Sequence, residues 1–260
     1  WFALYEDLER RERERVRDFS YTSPWLNAFR ETVQSMLPKC SHPRTLIRPM
    51  RLVVDFQYRP HRTEILSIDK LSDGYRTTLA VVMDLARRMI QANPHLEEKA
   101  VLDSEAVVLI DEVDLHLHPQ WQQRVLVNFM QTFPNTQFMV ATHSPQVLTS
   151  FDSQHMVLLE RQKGITASSP SASSYGAESG RVLEEIMGVS QRPPAAVNDF
   201  SKLLEEYREL VKCGEGESDQ AKEKRLKLNH LSPRDPELLA ADMEIRRRRM
   251  QQRLQLQQQS

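Results

Sequence analysis

The sequence predicts an α/β fold with a parallel sheet, and three observations support this prediction. Residues 107–110 form a continuous apolar run that reads as a buried strand, and residues 137–141 form a second strand-like run. The segment between them, residues 121–133, has helical character. Buried parallel strands carry such apolar runs, and strands that alternate with helices favour a parallel sheet covered by helices.

The flanking segments are predicted to be mainly helical. Residues 5–18 alternate in charge sign without an apolar stripe, which is typical of a solvated helix or the remnant of a helical arm. Two β-rich stretches follow at residues 52–58 and 65–68, before a one-face helical pattern over residues 77–92. Further helices are predicted near residues 181–188, 195–212, 219–229 and 236–256.

These patterns divide the chain into four predicted segments. Residues 1–42 form a helical arm or remnant, and residues 43–161 form the α/β lobe. Residues 162–180 are rich in Ser and Gly, as expected for a mobile linker, and residues 181–260 form a helical C-terminal segment suited to docking a partner.

Composition argues against a protein that is attracted to nucleic acid or membranes by its overall charge, and against one that spans a membrane. In this chain of 260 residues, 35 Lys and Arg nearly balance 36 Asp and Glu, so no global charge attracts nucleic acid or a membrane. The two cysteines, Cys40 and Cys213, are far apart, which suits a reducing cytoplasm. No apolar run approaches the roughly 18 residues of a membrane span. The chain begins with Trp1 inside a charged helical stretch, so we expect a longer polypeptide.

Two adjacent carboxylates, Asp111 and Glu112, follow the first apolar strand. Ligands of open α/β sheets bind at the carboxyl ends of the strands. Phosphoryl hydrolysis needs a carboxylate for Mg²⁺ and a second group that orients the attacking water. Asp111 suits the first role and Glu112 the second. The alternative is a strand that ends in a charged turn.

Two other short motifs lie at helix or strand ends. Ser72 and Gly74, in the sequence LSDGY, precede a helix, whose N-terminus suits a γ-phosphate. The alternative for Ser72 is a simple helix cap. His143, in ATHSP, follows the second strand and is placed to hydrogen-bond the same phosphate; alone, it would be read as structural.

The order of these three motifs resembles that of ABC-type ATPases of the chromosome-maintenance, Rad50 and RecF class. The resemblance covers about residues 52–160 and implies the C-terminal lobe of such an ATPase, with ATP and Mg²⁺ as cofactors. It implies that Asp114 lies in a D-loop and that Ser72, Gly74 and Asp114 contact ATP in trans across a homodimer. A zinc site at His116 and His118 is a weak alternative, because zinc needs about four ligands.

The chain departs from the family pattern in three respects. It contains no GxxxxGK[ST], and its first glycine is Gly74, so we expect it to bind ATP poorly without a further lobe. Asp73 stands where the family usually has a second signature glycine, and Val113 where proline usually follows the carboxylate pair. Asp73 either slows hydrolysis or points away from the phosphate.

A more specific resemblance is to the ATPases of Septu-type and retron-associated antiphage systems. It rests on LSDGYRTTLAVVMDLARRM, LIDEVDLHLHPQWQQRVL, FPNTQFMVATHSPQVL and RVLEEIMGVSQRPPAAV. This resemblance implies an ATPase that controls a separate HNH-type nuclease in antiphage defence, with retron RNA or DNA, or another nucleic acid, as a further partner. Residues 152–260 contain no DxD or acidic cluster, so no nuclease activity is expected in the chain.

Two other functions are kept as alternatives. One is a DNA repair or tethering ATPase like RecF or Rad50, which long coiled-coil arms would favour. The other is a non-hydrolysing scaffold that uses ATP only to join protomers. The four arginines at residues 246–249 suit either a nucleic-acid phosphate backbone or, as we prefer, a solvated helical tail.

Overall fold

The computed structural model describes residues 1–161 and 164–258. Contacts divide the chain into a first unit, Trp1–Met187, and a second unit that begins at Gly188. Within the described residues, no helix combines the length and the apolar character that crossing a membrane requires.

The described residues form seven strands and eleven α-helices. The strands are β1 (Cys40–Ile47), β2 (Met50–Arg59), β3 (Arg62–Ser67), β4 (Ala106–Ile110), β5 (Thr136–Val140), β6 (Leu158–Arg161) and β7 (Ile165–Ser168). The helices of the first unit are α1 (Phe2–Val16), α2 (Pro24–Met36), α3 (Asp73–Ala92), α4 (Ala100–Asp103), α5 (Pro119–Gln122), α6 (Val125–Thr132), α7 (Pro145–Leu148) and α8 (Ser179–Glu185). Those of the second unit are α9 (Asp199–Lys212), α10 (Asp219–Leu231) and α11 (Pro236–Gln258).

The strands of the first unit form three small sheets. β1, β2 and β3 pair in an antiparallel sheet, while β4 and β5 pair in parallel with Ile110 opposite Val140. β6 and β7 form an antiparallel ribbon. The parallel pair confirms the predicted α/β class with a parallel sheet.

One hydrophobic core connects α2, α3 and α6 with the inner faces of the sheets. Phe29, Val33 and Leu37 on or just after α2 are fully buried, at the helical spacing that the sequence shows. They pack in the same cluster as Val82 and Phe129, from α3 and α6. This core fixes α3 and the β4–β5 pair, and so positions the motifs at their ends.

The second unit has a separate core among its three helices. Leu204, Tyr207 and Val211 of α9 pack in one cluster with Leu228 of α10 and Leu238 of α11. Two side-chain clusters reinforce it: Arg225 joins α10 to Asp242 of α11, and Arg192 binds both Asp235 and Glu237.

Several elements differ from the sequence prediction. α1 is less solvated than its charge pattern suggests, because Glu9 is buried and accepts hydrogen bonds from Arg13, Arg30 and the Ser23 backbone. β1 was not predicted and begins inside the segment assigned to the helical arm. The single helix predicted over residues 121–133 is two helices, α5 and α6.

The Ser- and Gly-rich segment also contains structure. β7 lies inside the stretch predicted as a linker and pairs with β6. Residues 162 and 163 of that stretch lie outside the described part of the chain. The four-segment division of the chain remains a prediction.

Candidate functional site

The ends of β4 and β5 bring two of the sequence motifs to one edge of the sheet. Their parallel register places Ile110 opposite Val140, so the residues that follow leave the sheet on the same side. Backbone hydrogen bonds continue past the strands, from Ala141 N to Ile110 O (2.9 Å) and from Val113 N to Ala141 O (3.2 Å). The carboxylate pair and the histidine motif are therefore held side by side.

The carboxylates lie on a tight turn with a buried anchor. Asp111 and Glu112 are exposed, while the next residue, Val113, is buried in the core. Glu112 adopts a left-handed backbone conformation (φ 50°), and its carbonyl accepts a hydrogen bond from Leu115 N at 2.9 Å. A positive φ is uncommon for a residue with a side chain and is enriched at functional sites.

The side chain of Asp114 is held by the neighbouring motif. Its Oδ1 accepts a hydrogen bond from the hydroxyl of Thr142, and Thr142 Oγ1 in turn accepts one from Ser144 N at 3.0 Å. Thr142 directly precedes His143, which is exposed. The Thr142 hydroxyl group therefore links the two motifs directly.

A second connection runs through Gln122. Its Nε2 donates to the backbone oxygens of Asp114 (3.2 Å) and Leu117 (3.1 Å). Its Oε1 accepts from the Ser144 hydroxyl at 2.8 Å. One amide thus fixes the loop after β4 against the start of α7. Gln122, Thr142 and Ser144 were not assigned a role from the sequence, and only the adjacency of Thr142 and Ser144 to His143 hinted at one.

The LSDGY motif packs directly against the loop that carries Asp114. Gly74 is buried at the start of α3, and a Cβ at this position would lie 2.8 Å from the His116 backbone oxygen and 3.3 Å from Leu117 Cδ2. The close approach of the two backbones therefore requires glycine. Ser72 is the exposed N-cap residue of α3, and its side chain makes no capping hydrogen bond, so its hydroxyl is available at the surface.

Aromatic packing strengthens this contact. The Tyr75 ring lies 4.4 Å from the Trp121 ring of α5 and 5.3 Å from the Phe56 ring of β2. Burial raises the pKa of the Tyr75 hydroxyl to about 12, with a smaller contribution from Cys40. Burial alone raises the pKa of the Cys40 thiol to about 12 as well. Tyr75 is thus a neutral packing residue that ties α3 to α5 and to the antiparallel sheet.

Asp73 has a local partner. Its carboxylate pairs with Arg76 of the same helix at 2.8 Å, and both side chains are at least half exposed. The arginine offsets part of the negative charge that Asp73 brings to the N-terminus of α3.

The available ligands fit Mg²⁺ better than zinc. Asp111 and Glu112 offer carboxylate oxygens, which Mg²⁺ prefers, and Mg²⁺ commonly binds through few protein ligands together with phosphates and waters. Within residues 1–161 and 164–258, no three His, Cys, Asp or Glu side chains form a metal-binding group. His118 instead caps α5, with Nδ1 accepting from Gln120 N at 3.3 Å.

One face of the parallel pair is uncovered. Val107, Leu109 and Met139 have relative exposures of 64%, 75% and 56%. Beside β4 lies a groove of about 760 Å³ between this strand and α3, which ends at Asp111. Strands of parallel sheets are normally covered on both faces. The exposed apolar side chains therefore mark a surface that a further element can cover.

Comparison with known proteins gives the family. Residues 6–149 match the family model described as "AAA domain, putative AbiEii toxin, Type IV TA system". The chain belongs to this family. The match spans α1 to α7 and so includes every motif of the candidate site.

Two named relatives support the more specific resemblance. The Retron Ec83 probable ATPase of Escherichia coli is 38% identical over 231 residues, which cover 88% of this chain and 40% of that protein. The Septu protein PtuA of Bacillus mycoides (strain KBAB4) is 33% identical over 148 residues, covering 55% of this chain and 19% of PtuA. The predicted resemblance to retron-associated and Septu ATPases is confirmed. The chain spans less than half the length of either relative.

A solved structure gives a weaker match. It comes from work on "ATP-driven dimerization and DNA stimulated activation of SMC ATPases" and is 18% identical to this chain. The overlap covers 66% of this chain and 94% of that one, with a TM-score of 0.44. A TM-score below 0.5 is too low to establish a shared fold.

Proposed function

We propose that this AAA-domain chain supplies part of an ATP-hydrolysing site in a defence ATPase. The observation that carries the proposal is the edge of the parallel pair, where Asp111 and Glu112 lie beside the segment of His143. The family match and the relative described as a probable ATPase support the same activity.

Each side chain has a chemical role in this proposal. Asp111 holds Mg²⁺, which when bound neutralises charge on the phosphates. Glu112 orients the attacking water and accepts its proton, and it is exposed on the left-handed turn next to the buried Val113. His143 hydrogen-bonds the γ-phosphate and is coupled to Asp114 through Thr142.

The phosphate-binding loop comes from elsewhere in this proposal. The sequence has no GxxxxGK[ST], and the uncovered face of β4 and β5 offers a site where a further lobe can pack. The relatives are more than twice as long as the matched region, which supports such a lobe. Ser72, Gly74 and Asp114 contact ATP of a second protomer, so that two copies enclose the nucleotide.

The biological role that we propose is control of a partner nuclease of the HNH type in antiphage defence, in the cytoplasm. Retron RNA or DNA, or another nucleic acid, is a further proposed partner. The names of the retron and Septu relatives support the defence role. Closure of the dimer around ATP would then change the access of the partner nuclease to its substrate.

The deciding experiment measures ATP turnover and ATP binding of the intact polypeptide. Glu112→Gln keeps the shape of the side chain and removes the proton acceptor, so turnover should fall by about 100-fold or more while binding persists. Glu105→Gln is the matched control, because Glu105 is exposed at the opposite end of β4. Its turnover should equal that of the unchanged protein.

Other outcomes separate the alternatives. If the unchanged protein binds ATP without turnover, the hydrolysis proposal fails and the non-hydrolysing scaffold replaces it. If turnover survives Glu112→Gln, Glu112 is not the base. Strong stimulation by DNA alone, without a partner, would favour the repair or tethering ATPase.

A further inference from the structure

Helix α11 has two apolar faces, and only one of them is covered. Leu238 and Ala241 are buried in the core of the second unit, where Ile245 also packs. Arg248 adds to this attachment by donating to the backbone oxygens of Val211 (2.7 Å) and Lys212 (3.1 Å) at the end of α9. This side therefore fixes the helix to its own unit.

The opposite side carries a second apolar stripe. It consists of Leu239, Met243, Met250 and Leu254, with relative exposures of 46%, 68%, 65% and 48%. Their spacing of four, seven and four residues places them within an arc of about 60° and along roughly 22 Å of helix. Such spacing is how a helix presents anchors to another helix, and methionine adapts readily to a partner's surface.

The charges beside the stripe indicate what covers it. Arg248 and Arg249 point toward their own unit, where Arg249 pairs with Glu217. Arg247 pairs with the partly buried Glu244 at 2.7 Å and itself remains exposed beside the stripe. Arg246 is exposed and forms no ion pair within the described part of the chain.

A second copy of this chain is a poor occupant. Arg246 and Arg247 lie at the middle of the stripe, so pairing of two copies in either direction brings their arginines together. Like charges at an interface cost several kcal/mol. A helix with an apolar face flanked by Asp and Glu meets both features of the surface.

We propose that the exposed stripe of α11, with Arg246, is a docking site for an acidic amphipathic helix of a partner protein. This inference deepens the proposed control of a partner and rests on that proposal for its biological role. Its physical basis is the second unit alone, because every residue invoked lies after Gly188.

The test uses a fluorescein-labelled synthetic peptide of about 18 residues, roughly 27 Å as a helix, with leucines at helical spacing and glutamates elsewhere. Fluorescence anisotropy is measured with the full chain and no nucleotide. The control peptide has lysine in place of every glutamate. The acidic peptide should bind and the lysine peptide should not, and added salt should weaken the binding.

Variants test the two features separately. Met243→Glu and Met250→Glu should each weaken binding of the acidic peptide by about tenfold or more, because each removes an exposed apolar anchor that the bound peptide would bury. Arg246→Glu should weaken it as well. Leu231→Glu is the matched control, since Leu231 is 62% exposed at the end of α10 and lies outside the stripe. This variant should bind the acidic peptide as tightly as the unchanged protein.

Four results would overturn the inference. Equal binding of both peptides, or binding that ignores Met243→Glu, would remove the stripe as the site. Concentration-dependent dimers in sedimentation that Met243→Glu abolishes would assign the stripe to a second copy. Binding of an RNA oligonucleotide that Arg246→Glu abolishes and Met243→Glu leaves unchanged would assign the surface to nucleic acid. Since the titration contains no ATP, its failure is distinguishable from a failure of the ATPase proposal.

Discussion

Gly74→Ala tests whether the LSDGY motif and the Asp114 loop are held in direct backbone contact. The added methyl group would lie 2.8 Å from the His116 oxygen and 3.3 Å from Leu117 Cδ2. Overpacking of this kind costs about 1–3 kcal/mol. Alanine regains about 0.5–1 kcal/mol through its better helix propensity. The expected net loss in the free energy of unfolding therefore spans about 0–2.5 kcal/mol, with a middle value of about 1 kcal/mol.

The assay is the thermal unfolding midpoint, measured by circular dichroism. For a domain of this size, each kcal/mol moves the midpoint by about 2–4 °C, so the middle value of the net loss corresponds to a decrease of about 2–4 °C. Gly74→Val should lower it further. Gly164→Ala is the control, because a Cβ there meets nothing within 4 Å, and its midpoint should stay nearly constant. A higher midpoint for Gly74→Ala would refute the reasoning, since helix propensity alone predicts it.

Four further predictions concern stability and reactivity. Thr142→Val removes the hydrogen-bond donor to the Asp114 carboxylate and should cost about 1–3 kcal/mol in urea unfolding; an unchanged midpoint would show that this bond is dispensable. Cys213 is exposed and should react with a thiol reagent at pH 8, whereas Cys40 should react only after denaturation. Because burial raises the Cys40 pKa from 9.0 to about 12, its contribution to stability is complete below about pH 9 and is lost as the pH rises towards 12. Arg192→Met removes two of the hydrogen bonds to the buried Asp235, which keeps the one from Glu237 N, and should cost about 1–3 kcal/mol, discounted because Arg192 is one-third exposed; chemical denaturation that matches the unchanged protein would contradict this.

The elements nearest the site were the most predictable. β4, β5 and α3 follow local patterns, namely short apolar runs and a one-face helical repeat, that persist whatever surrounds them. The positions of Asp111, Glu112 and His143 at strand ends follow directly from those patterns. Their proposed roles in catalysis remain predictions.

Elements that depend on distant contacts were missed. β1 contains Pro43, a residue that usually interrupts a strand. The structure accommodates it at a register shift between Ser41 and Arg44, where His42 has φ 47°. β7 lies in a polar stretch and exists through its pairing with β6.

Contacts between motifs were the least predictable. Nothing in the spacing of Gly74 and His116 reveals that their backbones meet, because the two residues are 42 positions apart in the chain. The spacing of Asp114 and Thr142, 28 positions apart, likewise gives no sign of the hydrogen bond between them. Both depend on how the core orients α3 and the parallel pair.

The uncovered face of β4 and β5 has a consequence for biosynthesis. Exposed apolar side chains such as Val107, Leu109 and Met139 favour association with the same surface of another newly made chain, and the further lobe proposed above would cover them. Aggregation therefore competes with folding during the interval between formation of the strand pair and its covering. The yield of usable protein in a cell depends on the length of that interval, and chaperones that shield the face would raise the yield without changing the stability of the finished fold.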